Sequence, residues 1–324
     1  MRNVFDYQQI IADSIVNFTE KNGSGTLYKP VNYILSLGGK RLRPALLLMA
    51  NDLFDGDLDE AINCALAVEF FHNFTLLHDD IMDSAPIRRG SPTVHEKWGV
   101  NEAILSGDVL MVQAVQLMTQ CPDRVLRDVL EVFHVTAVEV CEGQQMDMDF
   151  EKRSDVSIEE YIRMIELKTS VLLAGALKIG ALIGGASKED ADLIYEFGRN
   201  LGISFQIMDD ILDVYGDQNK FGKQEGGDII ENKKTYLMLN ALELATGSDK
   251  DRLAEWIEKD NFEAVEKVTE VKKIYNSLDV RNHSESVMNK YYEEAMSNLK
   301  ALSLSESRKA PLYSFSEQLF RRES

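Results

Sequence analysis

Two groups of three aspartates, each set in an otherwise apolar stretch, constrain this chain more than any other feature. The first closes the run Phe70-Phe71-His72-Asn73-Phe74-Thr75-Leu76-Leu77-His78-Asp79-Asp80-Ile81-Met82-Asp83; the second closes Phe205-Gln206-Ile207-Met208-Asp209-Asp210-Ile211-Leu212-Asp213. If Leu58 to Asp83 is one helix, then at ~100° per residue Glu69, His72, Thr75, Asp79 and Asp83 fall within about 60° of one line. Nearly everything else on that helix is apolar, which is the pattern of a buried helix with a single polar stripe. Carboxylates one and four positions apart repel by roughly 1 to 4 kcal/mol per close pair, depending on the local dielectric, so a folded chain keeps them together only against a counter-charge. A divalent cation is the simplest one. Two such groups 130 residues apart, each with a polar residue (His72 or Gln206) on the same face, are not explained as solvated surface.

Basic segments accompany both groups. Gly38-Gly39-Lys40-Arg41-Leu42-Arg43-Pro44 places Lys40 and Arg43 beside the start of an apolar helix, where free backbone N–H groups and the helix dipole favour an anion. After Asp83, Ser84-Ala85-Pro86 ends the helix and Arg88-Arg89-Gly90 puts two guanidiniums in a loop; their planar forks suit phosphate oxygens. After Asp213, Gly222-Lys223 and Asn232-Lys233-Lys234-Thr235 repeat the order of acid cluster followed by basic loop. Mg2+ binds through one or two protein carboxylates plus waters and substrate phosphates. Two facing aspartate helices would therefore hold metal ions ready for a diphosphate, and two diphosphate sites across an apolar bundle suggest a reaction between two diphosphate esters of greasy chains.

Composition narrows the alternatives. A net charge of −19, with 54 acids against 35 bases, argues against a nucleic-acid partner, since a duplex binder needs a basic face. Cys64, Cys121 and Cys141 have no paired metal-ligand spacing and read as buried reduced thiols of a cytoplasmic protein. No signal peptide opens the chain, and no run approaches the ~20 apolar residues of a membrane span.

Along the chain, helical periodicity covers 4–20, 27–37, 98–119 and 124–146, the last ending in the polar run Gly143-Gln144-Gln145-Met146-Asp147. A further run, 155–183, opens with the capping-box pattern Ser157-Ile158-Glu159-Glu160 and carries Lys168-Thr169-Ser170 in its apolar middle; a buried lysine there needs an anionic partner. Gly184-Gly185-Ala186-Ser187 closes it, Ser187 capping the helix that ends in the second aspartate group. From Leu237 the pattern is of short charged helices, with Trp256 and Tyr291-Tyr292 packed inward, and a basic tail at Arg321-Arg322.

These motifs together resemble the trans-isoprenyl diphosphate synthases, the family of farnesyl and geranylgeranyl diphosphate synthases. The likeness runs over about residues 30 to 240 and rests on Gly38 to Pro44, Asp79 to Asp83, Arg88-Arg89-Gly90, Lys168-Thr169, Gln206 with Asp209 to Asp213, and Lys223 and Lys233. It implies an all-α fold: one helical-bundle domain over 1–324, with the active site in the bundle core, working as a homodimer. It implies Mg2+ at Asp79, Asp83 and Asp209, with Asp80, Asp210 and Asp213 as further or water-mediated ligands. Arg88, Lys168, Thr169, Gln206, Lys223 and Lys233 would contact an allylic diphosphate or its metals, and Lys40, Arg43, His72 and Arg89 would hold isopentenyl diphosphate.

Chain growth in that family runs beside the first aspartate helix. At ~1.5 Å rise per residue, Phe74 lies about 7.5 Å and Phe71 about 12 Å before Asp79, so both bulky rings stand where a tunnel floor would be, with small Thr75 beside them. The expected product is short, fifteen to twenty carbons, leaning to geranylgeranyl diphosphate, with a longer-chain synthase as the alternative. A terpene cyclase would lack the second aspartate group and the Gly-Gly-Lys site, a metal phosphohydrolase built on His72 and His78-Asp79 would not need the repeat, and a regulatory subunit would have degraded aspartates.

Overall fold

The computed structural model describes residues 2–21, 25–216 and 226–320. In chain order its helices are α1 Val4–Lys21, α2 Tyr28–Ser36, α3 Leu42–Leu53, α4 Leu58–Met82, α5 Val94–Trp98, α6 Val100–Met118, α7 Leu126–Phe150, α8 Ile158–Ile165, α9 Val171–Gly184 and α10 Lys188–Tyr215. They continue with α11 Gly227–Ile230, α12 Tyr236–Leu244, α13 Gly247–Glu258, α14 Ala264–Ser277, α15 Val280–Ala301 and α16 Glu306–Phe320. The fold is all-α: among the described residues the only strands are those of a two-residue antiparallel ladder, β1 Ile87–Arg88 with β2 Ser91–Pro92.

Local chemistry sets the helix starts. Asn3 accepts from the N–H groups of Phe5 and Asp6, Asp57 from that of Asp59, and Thr235 from that of Met238. The expected capping box is formed: Ser157 Oγ accepts from Glu160 N at 3.2 Å, and the Glu160 carboxylate accepts from Ser157 N at 2.9 Å. Ser187 Oγ likewise accepts from Asp190 N at 3.1 Å.

Several expectations need correction. The loop expected at Arg88-Arg89-Gly90 is a tight hairpin: Arg88 ends β1, and Arg89 and Gly90, both at positive φ (52° and 76°), turn the chain into β2. Gly99, at φ 108°, splits the run after Trp98, and α7 carries on to Phe150. The 155–183 run contains a π-turn, Glu166–Ser170. Ile158–Gly184 is in fact apolar and long enough for a membrane span, with a mean hydropathy of 1.5 over its most apolar window, but 67% of that window is buried within the protein, as in a core helix. Cys141 is exposed while Cys64 and Cys121 are buried. α15 is 22 residues, not short. Trp256 and Tyr291 do pack on the surrounding core.

The chain resolves into two compact units. The first comprises residues 1–135, 172–195 and 302–311; the second comprises 136–171, 196–301 and 312–324. In the first, α4 lies against α6, where Gly107 admits the His78 ring: a Cβ on Gly107 would stand 2.3 Å from His78 Nε2. Gly180 lets α9 meet the backbone of α3 at Leu47. In the second, the C-terminal part of α10, with Ile207 and Ile211, shares one core with Tyr161 of α8, Leu237 of α12, Val271 and Tyr275 of α14 and Met288 of α15. Each unit carries one aspartate group.

Candidate active site

Both aspartate groups occupy the C-terminal ends of long helices: Asp79, Asp80 and Asp83 close α4, and Asp209, Asp210 and Asp213 stand in the last turns of α10. This is the wrong end for negative charge, since the helix dipole opposes a carboxylate there by about 0.3–1 kcal/mol at exposed positions. Carboxylates gathered against both their mutual repulsion and the dipole mark a place built for cations.

Within each group the middle aspartate faces inward. Asp80 is 1% exposed and its Oδ1 takes both Arg88 Nε and Nη2 at 2.7 Å, while Oδ2 is buried without a hydrogen-bond partner among the described residues. Asp210 Oδ2 accepts from Tyr161 Oη at 2.5 Å and from Tyr236 N at 3.0 Å, and burial lifts its carboxyl to about 8. The family resemblance implies both as further or water-mediated metal ligands; in this structure their carboxylates are bonded to a guanidinium, a phenol and a helix start. Asp83 and Asp209 are exposed and Asp79 is half-buried. Asp213 Oδ2 accepts from Asp228 N at 3.0 Å, fixing the chain that follows the second group.

The cationic side of the first unit is assembled by unusual backbone. Gly38, Gly39 and Arg41 all have positive φ (77°, 132° and 44°), curling the loop so that Arg43 enters the first turn of α3. Gly39, at a φ that favours glycine, lies against the Arg89 guanidinium, with a Cβ there standing 2.7 Å from Arg89 Cζ, and that guanidinium donates to Gly38 O. The hairpin thereby brings Arg89 to the Gly-Gly loop. Arg43 Nη1 is 3.3 Å from His72 Nε2. Burial and the guanidiniums of Arg43, Arg89 and Arg88 hold His72 well below the usual histidine range, so it is neutral here. Beneath them is Glu69, buried, its carboxyl raised by desolvation and bonded by Asn73 Nδ2 at 3.2 Å. Lys40 is exposed at the rim.

In the second unit, Lys168 and Thr169 occupy the π-turn. Gly143 of α7 and Gly202 of α10 flank it: a Cβ on Gly143 would stand 2.2 Å from Lys168 N, and one on Gly202 would stand 2.8 Å from Ser170 Cβ. Lys168 Nζ has the anionic partner its apolar setting demands, Asp147 at 2.5 Å. Lys233 lies 3.5 Å from Asp228 and 3.1 Å from Glu231, and Gln206 is half-buried on α10. Lys223 and Arg321-Arg322 lie outside the described residues.

Before the first aspartate group, Phe71 is fully buried and packs 5.6 Å from both Phe74 and Phe133, centroid to centroid, while Thr75 Oγ1 donates to His72 O. Sequence reasoning missed Phe133 and Tyr161, neither of which stands in a motif, and gave no task to Asp228 in the glycine-bearing loop Gly222 to Ile229. Glu69 was visible as part of the polar stripe, and Asp147 as the end of a polar run, each without an assigned task.

Among the described residues, no three His, Cys, Asp or Glu side chains converge as a ready metal cage. The residues still fit a hard divalent cation that relies on substrate oxygens: with Asp80 turned to Arg88, the first group offers Asp79 and Asp83, one helical turn apart, which is the one or two carboxylates such an ion takes from protein.

Comparison with known proteins agrees with this arrangement. Residues 24–278 match the family model described as Polyprenyl synthetase. The geranylgeranyl diphosphate synthase of Methanosarcina mazei is 45% identical over 280 residues, covering 85% of this chain and 84% of that protein. That of Sulfolobus acidocaldarius is 39% identical over 307 residues, 92% of each. A crystal structure of a geranylgeranyl pyrophosphate synthase superposes with a TM-score of 0.94 at 43% identity over all of both chains. With the aspartate groups, the Gly-Gly-Lys loop and the lysine-bearing π-turn in place on a helical frame of this kind, the chain belongs to the polyprenyl synthetase family.

Proposed function

We propose that this protein catalyses the Mg2+-dependent head-to-tail (1'-4) condensation of isopentenyl diphosphate with an allylic diphosphate, giving a short all-trans prenyl diphosphate of fifteen to twenty carbons, with twenty preferred. The observation that carries this reading is the pairing of each aspartate group with its own set of cations suited to phosphate: Arg43, Arg88 and Arg89 around the first, with neutral His72 beside Arg43, and Lys168 and Lys233 in the unit of the second. The family match runs across both units, which supports one catalytic domain over the whole chain.

Divalent cations held by Asp79, Asp83 and Asp209 would neutralise the allylic diphosphate and stabilise the negative charge it takes on leaving. Lys168, Lys233 and, outside the described residues, Lys223 grip its oxygens, and Arg88 adds a guanidinium while balancing Asp80. Lys40, Arg43 and Arg89 hold isopentenyl diphosphate, and neutral His72 adds a hydrogen bond. Heterolysis of the allylic C1–O bond leaves pyrophosphate and an allylic cation. The isopentenyl double bond attacks C1, forming the new C–C bond and a tertiary cation, which loses a proton to the released pyrophosphate and becomes the new trans double bond. Thr169, Gln206 and nearby carbonyl dipoles shelter the cations from water. Asp80, Asp210 and Asp213 would serve as further or water-mediated ligands, and Asp210 and Asp213 also tie the end of α10 to Tyr236 and Asp228.

The testing experiment is incubation with Mg2+, isopentenyl diphosphate and, separately, dimethylallyl, geranyl or farnesyl diphosphate, followed by sizing of the dephosphorylated products. A dominant C20 or C15 alcohol is expected; no metal-dependent elongation with any primer would overturn the reading. Phe71, Phe74 and Thr75 set product length in this proposal. Phe74→Ala, by removing one ring of the Phe71–Phe74–Phe133 cluster, is expected to shift the product distribution upward by at least one five-carbon unit. An unchanged distribution would remove Phe74 from the floor.

The working form is a homodimer. On α6 the apolar side chains Ile104, Leu105 and Val112 are 41%, 55% and 58% exposed, with Val135 of α7 at 54%, a face that a second copy would cover. Leu105→Glu is expected to halve the mass measured by light scattering after size exclusion; a monomeric wild type would dispose of the dimer. The free thiols Cys64, Cys121 and Cys141 support a reducing, cytoplasmic setting.

A further inference from the structure

A lysine that no motif marks lies at the heart of the second unit. Lys267, on α14, is 0% exposed, and among the described residues no carboxylate stands within ion-pair distance of it. Its Nζ donates to Ile230 O at 3.2 Å and to Asn232 Oδ1 at 2.8 Å, and lies 4.2 Å over the Phe262 ring. Burying an ammonium with only neutral partners is costly, and burial pulls this one below the ordinary lysine range. A chain that needed only to fill the space would do so better with methionine or leucine.

What the lysine holds is the segment between the second aspartate group and Lys233. Val268, the next residue, fills the space beside Gly226, where a Cβ would meet Val268 Cγ1 at 2.8 Å. Lys267 and Val268 thus grip the two ends of residues 226–232. That segment is tied back to α10: Gly226 N donates to Asp213 O at 2.9 Å and Asp228 N to Asp213 Oδ2 at 3.0 Å. It leads directly to Lys233, whose N–H donates to Asp228 O at 2.9 Å. Asn232 holds a left-handed φ of 54°, a conformation that its bond to the lysine helps to fix.

We infer that Lys267 is a positioning residue for the allylic diphosphate, fixing the turn Ile230–Asn232 and through it the placement of Lys233 and Asp213. The inference rests on the proposed role of Lys233. With both hydrogen bonds to the turn removed, Lys267→Met is expected to raise KM for geranyl diphosphate about tenfold or more. The Mg2+ concentration for half-activation should rise with it, while KM for isopentenyl diphosphate stays within about twofold. Lys267→Arg should restore part of the loss. Asn232→Gly, which removes the acceptor but suits the left-handed backbone and keeps the fold, should reproduce the effect in milder form. If Lys267→Met and Asn232→Gly leave the allylic KM unchanged, or raise both KM values in parallel, the inference is overturned. Lys233→Ala separates the two levels: a raised allylic KM there beside silent Lys267 and Asn232 variants overturns the positioning role alone, whereas a silent Lys233→Ala removes the reading beneath it.

Discussion

Asp209→Ala is expected to lower turnover by about three orders of magnitude, because a metal clamp on a departing diphosphate supplies several kcal/mol and each ~1.4 kcal/mol is a factor of ten. Folding should be untouched. Asp209 is exposed at the C-terminal end of α10, beside Asp210 and Asp213, so its removal takes away a like charge from the end of a helix that disfavours it. The melting temperature is therefore expected to hold or rise while kcat collapses. Asp79→Ala should behave the same way in the other unit. Near-normal turnover in either variant would withdraw that aspartate from the metal-binding set. Asp80→Ala should behave differently, since it strips the buried partner from Arg88 and costs stability as well as rate.

Gly143→Ala carries the second large effect, and its sign runs against helix propensity. In an ordinary helix interior the change would stabilise by about 1 kcal/mol. Here the new Cβ would stand 2.2 Å from Lys168 N and 2.7 Å from Leu167 C, backbone atoms that cannot swing aside. Overpacking of this kind costs about 1–3 kcal/mol, so a net loss of stability is expected. The larger consequence is catalytic: the π-turn must retreat, carrying Lys168 and Thr169, and a displacement near 1 Å can cost about 100-fold in rate. Steady-state kcat together with the melting temperature checks this. A stable, fully active Gly143→Ala would show that the close approach is not needed. Gly202→Ala, which meets Ser170 side-chain atoms at 2.8 Å, should do less harm because a hydroxymethyl group can shift.

Much of this was legible in the chain. The aspartate repeat, the Gly-Gly-Lys loop, the capping box at Ser157 and the demand of Lys168 for an anion could all be read because each depends on spacing within a few residues. What stayed hidden depends on partners distant in sequence. Asp80 and Asp83 are the same residue type in one motif, and only the folded hairpin, with Arg88 brought back on Asp80, shows that one is buried in an ion pair while the other is exposed. Phe133 joins Phe71 from sixty-two positions away, and Tyr161 reaches Asp210 from forty-nine. Gly143 gave no local signal, because its reason is the backbone of another helix. Lys267 was invisible because a lysine in a charged amphipathic run looks solvated until the fold closes over it.

The π-turn at Glu166–Ser170 bears on how one strand of sequence serves two surroundings. A π-turn carries one residue more than an α-turn, so the side-chain register beyond it is advanced by about 100°. The apolar stripe of α8 and that of α9 cannot then share one meridian, and a periodicity fitted through 155–183 as a single helix averages two phases. The residues before the turn are counted with the second unit, and those from Leu172 onward with the first. The inserted residue is thus a phase shift: it lets an unbroken rod present one side to its first set of neighbours and a different side to its next, and it leaves Lys168 and Thr169 at the point where the rotation occurs.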